Sequence, residues 1–139
     1  MQDTLHVVIL TPFGRYFEGE ADFLEVFSEK YSLGILPNHA PLISTVDICR
    51  MVIRKGKEEM IYATSGGVIN IDKDKVTLIL NSIERDDEID VERAKQAKQR
   101  AEDRLKNLIK DDTLDVNRSK LALLRATNRL DICSKPKQK

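Results

Sequence analysis

The chain changes character at Glu84. All seven aromatic residues lie before position 63, and all six glycines lie before position 68. Residues 84–139 hold no glycine, no aromatic side chain and a single proline, Pro136. Aromatic and β-branched runs punctuated by glycine build sheets, whereas long stretches of Ala, Leu, Glu, Lys and Arg build helices. One uniform layer cannot be made from both. The chain of 139 residues must therefore fold as a β part followed by an α part.

The first part reads as short strands separated by turns. Leu5–Leu10 stops at Thr11-Pro12, and Asp22–Phe27 alternates Phe23, Glu25 and Phe27 against Leu24 and Val26. Leu42–Val46, Arg50–Ile53, Met60–Thr64, Val68–Ile71 and Val76–Leu80 follow, with turn signals at Lys55-Gly56-Lys57 and Gly66-Gly67. This spacing predicts an antiparallel sandwich or barrel.

Beyond Glu84 the period becomes helical. Asp90 is a suitable N-cap, and Asp86, Asp87 and Glu88 place negative charge at the positive end of a helix. Ala94, Ala97, Ala101, Leu105 and Leu108 then mark one stripe, predicting a helix to about Ile109. Asp111-Asp112-Thr113 breaks it. Asp115 is placed to cap a second helix whose seam is Val116, Ser119, Leu123, Ala126, Leu130 and Cys133. Two helices joined by a short polar break make an antiparallel hairpin. The small seam residues allow close approach but bury little area, at about 25 cal/mol per Å².

Charge divides at the same place. The 23 basic and 23 acidic residues cancel overall. Residues 1–83 carry 8 basic and 11 acidic groups, net −3, and residues 84–139 carry 15 and 12, net +3. The zero total argues against a nucleic-acid binder. No apolar run approaches the roughly 20 residues of a membrane helix. The first residues lack the basic and apolar regions of a signal peptide. Cys49 and Cys133 have no metal-ligand spacing and read as apolar fillers in a reduced compartment.

Signatures of catalysis and of metal binding are missing from the sequence: there is no nucleophile elbow, zinc motif or phosphate loop. Only two histidines are present. His6 reads as a strand residue facing solvent or an edge. His39 lies in the turn Pro37-Asn38-His39-Ala40-Pro41, where a hydrolytic role would need a partner the sequence does not supply. Gly66-Gly67 reads as a tight turn, and Asp86-Asp87-Glu88 as a solvated charge cluster. The arginines carry more. Arg93 and Arg100 share a face of the first helix, and Arg118, Arg125 and Arg129 share a face of the second. Arg125 and Arg129 would repel by about 0.2–0.5 kcal/mol if unpaired. Their planar forks suit a phosphate group. Spacing alone favours a solvated basic face.

Four stretches change that reading. They are Val8–Gly14 with Phe17–Ala21, Leu33–Leu42, Ser65-Gly66-Gly67 and Ile89–Ala94. In this order the chain resembles the epsilon subunits of bacterial F-type ATP synthases over essentially its full length. Three places depart from the family pattern: Val26–Tyr31, Asn38 where glycine is usual, and a slightly longer break between Asn107 and Thr113. Asn tolerates the left-handed backbone that glycine adopts.

The resemblance implies an α+β fold: a ten-stranded N-terminal β-sandwich docking domain over residues 1–84, and a regulatory helical hairpin over 85–139. It implies a non-catalytic subunit of the central stalk of a proton-translocating enzyme. Its partners would be the gamma subunit, the c-ring, and the alpha and beta subunits of the catalytic head. Nucleic acid would not be a partner, and the membrane would be met only through the complex, at the cytoplasmic face of the cell membrane. The hairpin would inhibit ATP hydrolysis in an extended form through Arg118, Lys120, Arg125 and Arg129 against acidic segments of beta. In its compact form it would bind ATP as a regulatory ligand, no cofactor or metal being required. The family's ATP-contacting positions fall on Glu84, Asp90, Arg93, Arg100, Arg125 and Arg129. The alternatives are a purely structural stalk adaptor and, remotely, an enzyme acting at His39.

Overall fold

A computed structural model describes residues 4–28, 31–107 and 113–134. The chain divides into two compact units, Met1–Arg85 and Asp86–Lys139.

The first unit is built from eight strands: β1 (Leu5–Thr11), β2 (Gly14–Ala21), β3 (Phe23–Phe27), β4 (Ser32–Ile35), β5 (Leu42–Lys55), β6 (Glu58–Asp72), β7 (Lys75–Leu80) and β8 (Ile83–Arg85). Their order is β2-β1-β7-β6-β5-β3-β4, with β8 paired to β6. The family resemblance implies ten strands. The two counts differ because β5 and β6, at 14 and 15 residues, each serve two layers. The later half of β6 pairs with β7 through Gly67–Asp72, and its earlier half pairs with β8 through Tyr62–Thr64. Likewise β3 pairs only with Val52–Arg54 of β5. All neighbours are antiparallel except β1 and β7, which run parallel.

Strand alternation places the core. Leu5, Val7 and Ile9 of β1 meet Val76 and Leu78 of β7, then Ile69 and Ile71 of β6. The second layer supplies Leu24, Val26, Ile35, Met51, Ile53 and Tyr62 to the same apolar cluster. Tyr16 meets Tyr62 edge to face, with centroids 6.2 Å apart.

Gly66-Gly67 is not the tight turn the sequence suggests. Both residues lie inside β6, opposite Val46-Asp47 of β5, where the strands pass between layers. Gly66 has φ +100°, a region closed to most side chains. At Gly67 a Cβ would overlap the carbonyl oxygen of Ile79. The pair therefore exists to let β5, β6 and β7 approach at the crossing.

The other departures from the family pattern have local solutions. Asn38 adopts φ 68°, the left-handed conformation expected of it, and its N–H donates to Asp74 Oδ1 at 2.8 Å. Ser28 and Tyr31 exchange backbone hydrogen bonds across the β3–β4 connection. The break after Asn107 falls at 108–112, outside the described residues.

The second unit opens with a 3-10 turn, Asp86–Glu88, followed by α1 (Val91–Asn107) and α2 (Thr113–Ser134). The helix predicted to reach Ile109 is described to Asn107. The second helix starts at Thr113, so Asp115 lies inside its first turn and is not its cap. Seam residues Ala94, Ala101, Ser119 and Ala126 are buried, together with Ile132, which the stripe did not include. Leu108 lies outside the described residues.

Candidate functional site

Two surfaces carry the chemistry, one in each unit. In the helical unit, Asp90 builds the entry to α1. Its Oδ1 accepts the N–H of Arg93 at 3.1 Å, and its carbonyl accepts the N–H of Ala94 at 3.0 Å. This is an N-cap, so the Ile89–Ala94 run has a structural purpose before any ligand is considered.

The helices pair antiparallel. Cys133, near the end of α2, donates through Sγ to the carbonyl of Asp86 before α1, at 3.9 Å. Further along, Ala97, Arg100, Ala101 and Arg104 of α1 line one open cavity of about 230 Å³ with Ser119 and Ala122 of α2. These two anchor points set the register. They bring the turn of α1 that carries Arg93 alongside the turns of α2 that carry Arg125 and Arg129.

Among the sequence-predicted residues, only Arg100 lines that cavity. Arg93 lies one helical turn before Ala97 on the same face of α1. Arg93, Arg118, Lys120 and Arg125 are exposed, and Arg129 is half-buried. Among the described residues, the side chains of Arg93, Arg100, Arg104, Arg118 and Arg125 make no ion pair. Arg118 and Arg125 share a face, being seven apart. Lys120 stands two positions from Arg118 and points elsewhere. Glu84 belongs to the other unit, on β8, where it pairs with Ala63. Sequence reasoning missed Arg104, although it follows Arg100 by four. It read Ser119 as a packing residue only.

In the sandwich unit, the outer face of the β1-β7-β6-β5 layer carries a cluster of apolar side chains. Leu10, Ile79, Val68 and Thr45 stand in one row across the four strands. The next row holds Val8, Thr77, Asn70 and Ile43. Ile43 is 72% exposed and Ile79 56%. Clusters of this kind on an exposed sheet mark protein-docking surfaces. At the tip of the β1–β2 hairpin, Phe13 is 97% exposed.

A charged rim borders this face. His6 Nε2 lies 2.9 Å from Glu18 Oε2, and His6 Nδ1 lies 3.3 Å from Glu20 Oε1. Arg15 pairs with Glu18 at 2.6 Å, and Thr4 donates to Glu20 at 3.0 Å. The hydrogen bond to Glu18, then that to Glu20, raises the His6 pKa above its ordinary 6.5. His6 and then Arg15 hold the Glu18 carboxyl below its usual value.

The remaining candidates are structural. His39 Nδ1 donates to the carbonyl of Ala40 at 2.6 Å. Burial pushes the Cys49 thiol up, against the opposing pull of its hydrogen bond with Thr64. Neither cysteine forms a disulfide. Asp86-Asp87-Glu88 forms the 3-10 turn before α1. Among the described residues, no helix is long and apolar enough to cross a membrane.

A β-sandwich followed by an Ala-seamed helix pair defines a class of small two-part subunit. Residues 4–86 match the family described as "ATP synthase, Delta/Epsilon chain, beta-sandwich domain". Residues 87–134 match its "long alpha-helix domain". The ATP synthase epsilon chain of Halalkalibacterium halodurans is 41% identical over 103 residues, covering 74% of this chain and 77% of the relative. That of Levilactobacillus brevis is 37% identical over 105 residues, covering 76% of each. The chain therefore belongs to the delta/epsilon chain family of ATP synthase, as an epsilon subunit of the F-type enzyme, and is a non-catalytic component of it. The fold is also similar to a chain in the cryo-EM structure of the Euglena gracilis mitochondrial ATP synthase OSCP/F1/c-ring. There the TM-score is 0.80 at 14% identity, covering 92% of this chain and 80% of that one. A chain in the Tetrahymena thermophila mitochondrial ATP synthase central stalk and c-ring gives 0.63 at 13% identity, covering 94% and 96%.

Proposed function

We propose that the sandwich fixes this subunit to the central stalk and that the helical unit senses ATP. The row of half-buried Leu10 with exposed Ile79 and Val68, and Ile43 beside it, is the face offered to gamma, and the c-ring is the neighbouring partner. The subunit then sits at the cytoplasmic face of the cell membrane, peripheral to it, in a complex that moves protons.

The observation that carries the ATP reading is the cavity between α1 and α2, with Arg100 and Arg104 on its wall. Arg93, Arg125 and Arg129 lie on turns leading away from it along the two helices. An ATP molecule lying along this groove would draw together cations that otherwise repel. It would stabilise the compact hairpin in proportion to RT ln(1 + [ATP]/Kd). Asp90 acts by holding the first turn of α1, and so the position of Arg93.

When ATP is scarce, the compact state loses that support and an extended hairpin gains population. In that form Arg118, Lys120, Arg125 and Arg129 meet acidic segments of beta and block hydrolysis. ATP and beta thus compete for Arg125 and Arg129. Calorimetric titration of the full chain with ATP tests the sensor. Saturable heat at millimolar ATP, lost in Arg125→Ala plus Arg129→Ala, is expected. Absence of heat in the unaltered chain favours the purely structural stalk adaptor.

A further inference from the structure

Ser119 poses a problem that packing does not solve. It is 1% exposed, and its Oγ makes no hydrogen bond among the described residues. A serine inside a helix ordinarily bonds the carbonyl four residues back or points to water. A buried hydroxyl that does neither costs about 1–3 kcal/mol. Alanine would fill the same seam between Ala101 and Ala122, without that cost and with a better helix propensity. In the ligand-free chain, the hydroxyl is a liability.

Its surroundings give the liability a use. Ser119 lines the cavity between α1 and α2, whose other walls are Ala97, Ala101 and Ala122 with Arg100 and Arg104. Both cations come from α1, four residues apart, a spacing at which like charges repel. Among the described residues, no carboxylate lines the cavity. The nearby Asp103 accepts a hydrogen bond from Gln99 at 2.9 Å. At about 230 Å³ the space is smaller than the roughly 300–1,000 Å³ of a whole-ligand pocket, and it suits one charged group of a larger molecule. A hydroxyl donor and two guanidinium forks around alanine walls select an oxyanion.

We propose that Ser119 is a ligand-binding residue whose hydroxyl, with Arg100 and Arg104, seats the terminal phosphate of the bound nucleotide. This rests on the ATP-sensing reading above. It adds a specificity: the triphosphate end lies at the Ser119 level of the hairpin, and the remainder of the nucleotide extends towards the Arg93 and Arg129 turns. Ligand binding then repairs the unpaired hydroxyl, which couples occupancy directly to closure of the helix pair.

The test uses the full chain, with ATP, adenosine and inorganic triphosphate as separate probes in calorimetry. Ser119→Ala should weaken ATP and triphosphate binding about tenfold, the worth of one hydrogen bond to a charged group. It should leave adenosine binding unchanged. The same substitution should raise the ligand-free melting temperature, because it removes an unpaired buried hydroxyl. Opposite signs for affinity and stability are what a purely structural serine would not produce. Unchanged ATP affinity in Ser119→Ala overturns the proposal while the ATP reading stands. So does a fall in affinity accompanied by a fall in ligand-free stability. Should the unaltered chain give no heat with ATP, the ATP reading fails. Triphosphate then decides the notch by itself: binding that Ser119→Ala weakens about tenfold supports it, and no binding, or binding that Ser119→Ala leaves unchanged, overturns it.

Discussion

Asp90 Oδ1 accepts the backbone N–H of Arg93 at 3.1 Å, so the acidic and basic members of the Ile89–Ala94 motif are joined through a helix cap and not through an ion pair. The carboxylate satisfies one of the orphan donors at the start of α1 and lies at the positive end of its dipole. Asp90→Ala should therefore lower the stability of the helical unit by about 1 kcal/mol. Asp90→Ser should recover most of it. Far-ultraviolet circular dichroism during thermal melting reads both. Equal stability of the two variants would show that the cap contributes nothing.

The residues proposed to inhibit hydrolysis do not form one face. Arg118 and Arg125 are seven apart on α2, and Lys120 points away from both. In hydrolysis assays of the reconstituted catalytic head, Arg118→Ala and Arg125→Ala should each relieve inhibition and should couple when combined. Lys120→Ala should combine additively with either, as separated sites do. Coupling of Lys120 with Arg118 as strong as that of Arg125 would contradict the helical geometry.

Gly67 is fixed by sterics at the crossing of the layers. A Cβ there meets the Ile79 carbonyl and Leu80 Cα, which are backbone and cannot rotate away. Gly67→Ala should destabilise the sandwich by about 3 kcal/mol, at the upper end for overpacking. Gly56→Ala is the comparison: nothing lies within 4 Å of its would-be Cβ, so only the cost of φ +60° remains. Urea denaturation should show a much larger loss for Gly67.

The exposed apolar rows separate docking from folding. Ile79 is 56% exposed on the outer face of β7. Ile79→Asp should leave the melting temperature nearly unchanged while weakening co-purification with gamma. An aspartate at Leu78, fully buried one residue away, should unfold the sandwich. If Ile79→Asp binds gamma normally, the docking face lies elsewhere.

The His6 cluster sets a pH dependence whose sign follows from its two shifts. The His6 pKa is raised in the folded chain. Its contribution is complete below 6.5 and is lost as pH rises through the raised value. The Glu18 pKa is lowered. Its contribution is complete above 4.5 and is lost as pH falls through the lowered value. Both benefits coexist between those limits. His6→Gln should flatten the fall in melting temperature from about pH 6 to about pH 8, the range in which a histidine changes charge. The effect should be modest, because the groups are exposed and solvent screens them. An undiminished fall in His6→Gln would assign the pH dependence to other groups.

Much of this was legible without coordinates. The switch of period at Glu84 fixed a β part and an α part. Alternation in Asp22–Phe27 set Leu24 and Val26 on one face, which is the buried one, and Asp90 announced its helix. These are local properties, decided by side-chain type and spacing within a few residues. What the tertiary structure decided depends on distant neighbours. Leu42–Val46 and Arg50–Ile53 read as two strands but are one, because β6 accompanies β5 across both layers. Gly66-Gly67 resembles a turn because glycines often are, and only the backbones of β5 and β7 beside it reveal a close approach. Ser119 shares a seam with Ala126 by spacing, yet its hydroxyl becomes significant only when α1 folds over it and brings Arg100 and Arg104. Sequence determines which face of an element is buried. What that face meets is set by elements far along the chain, and there a packing residue becomes a candidate ligand.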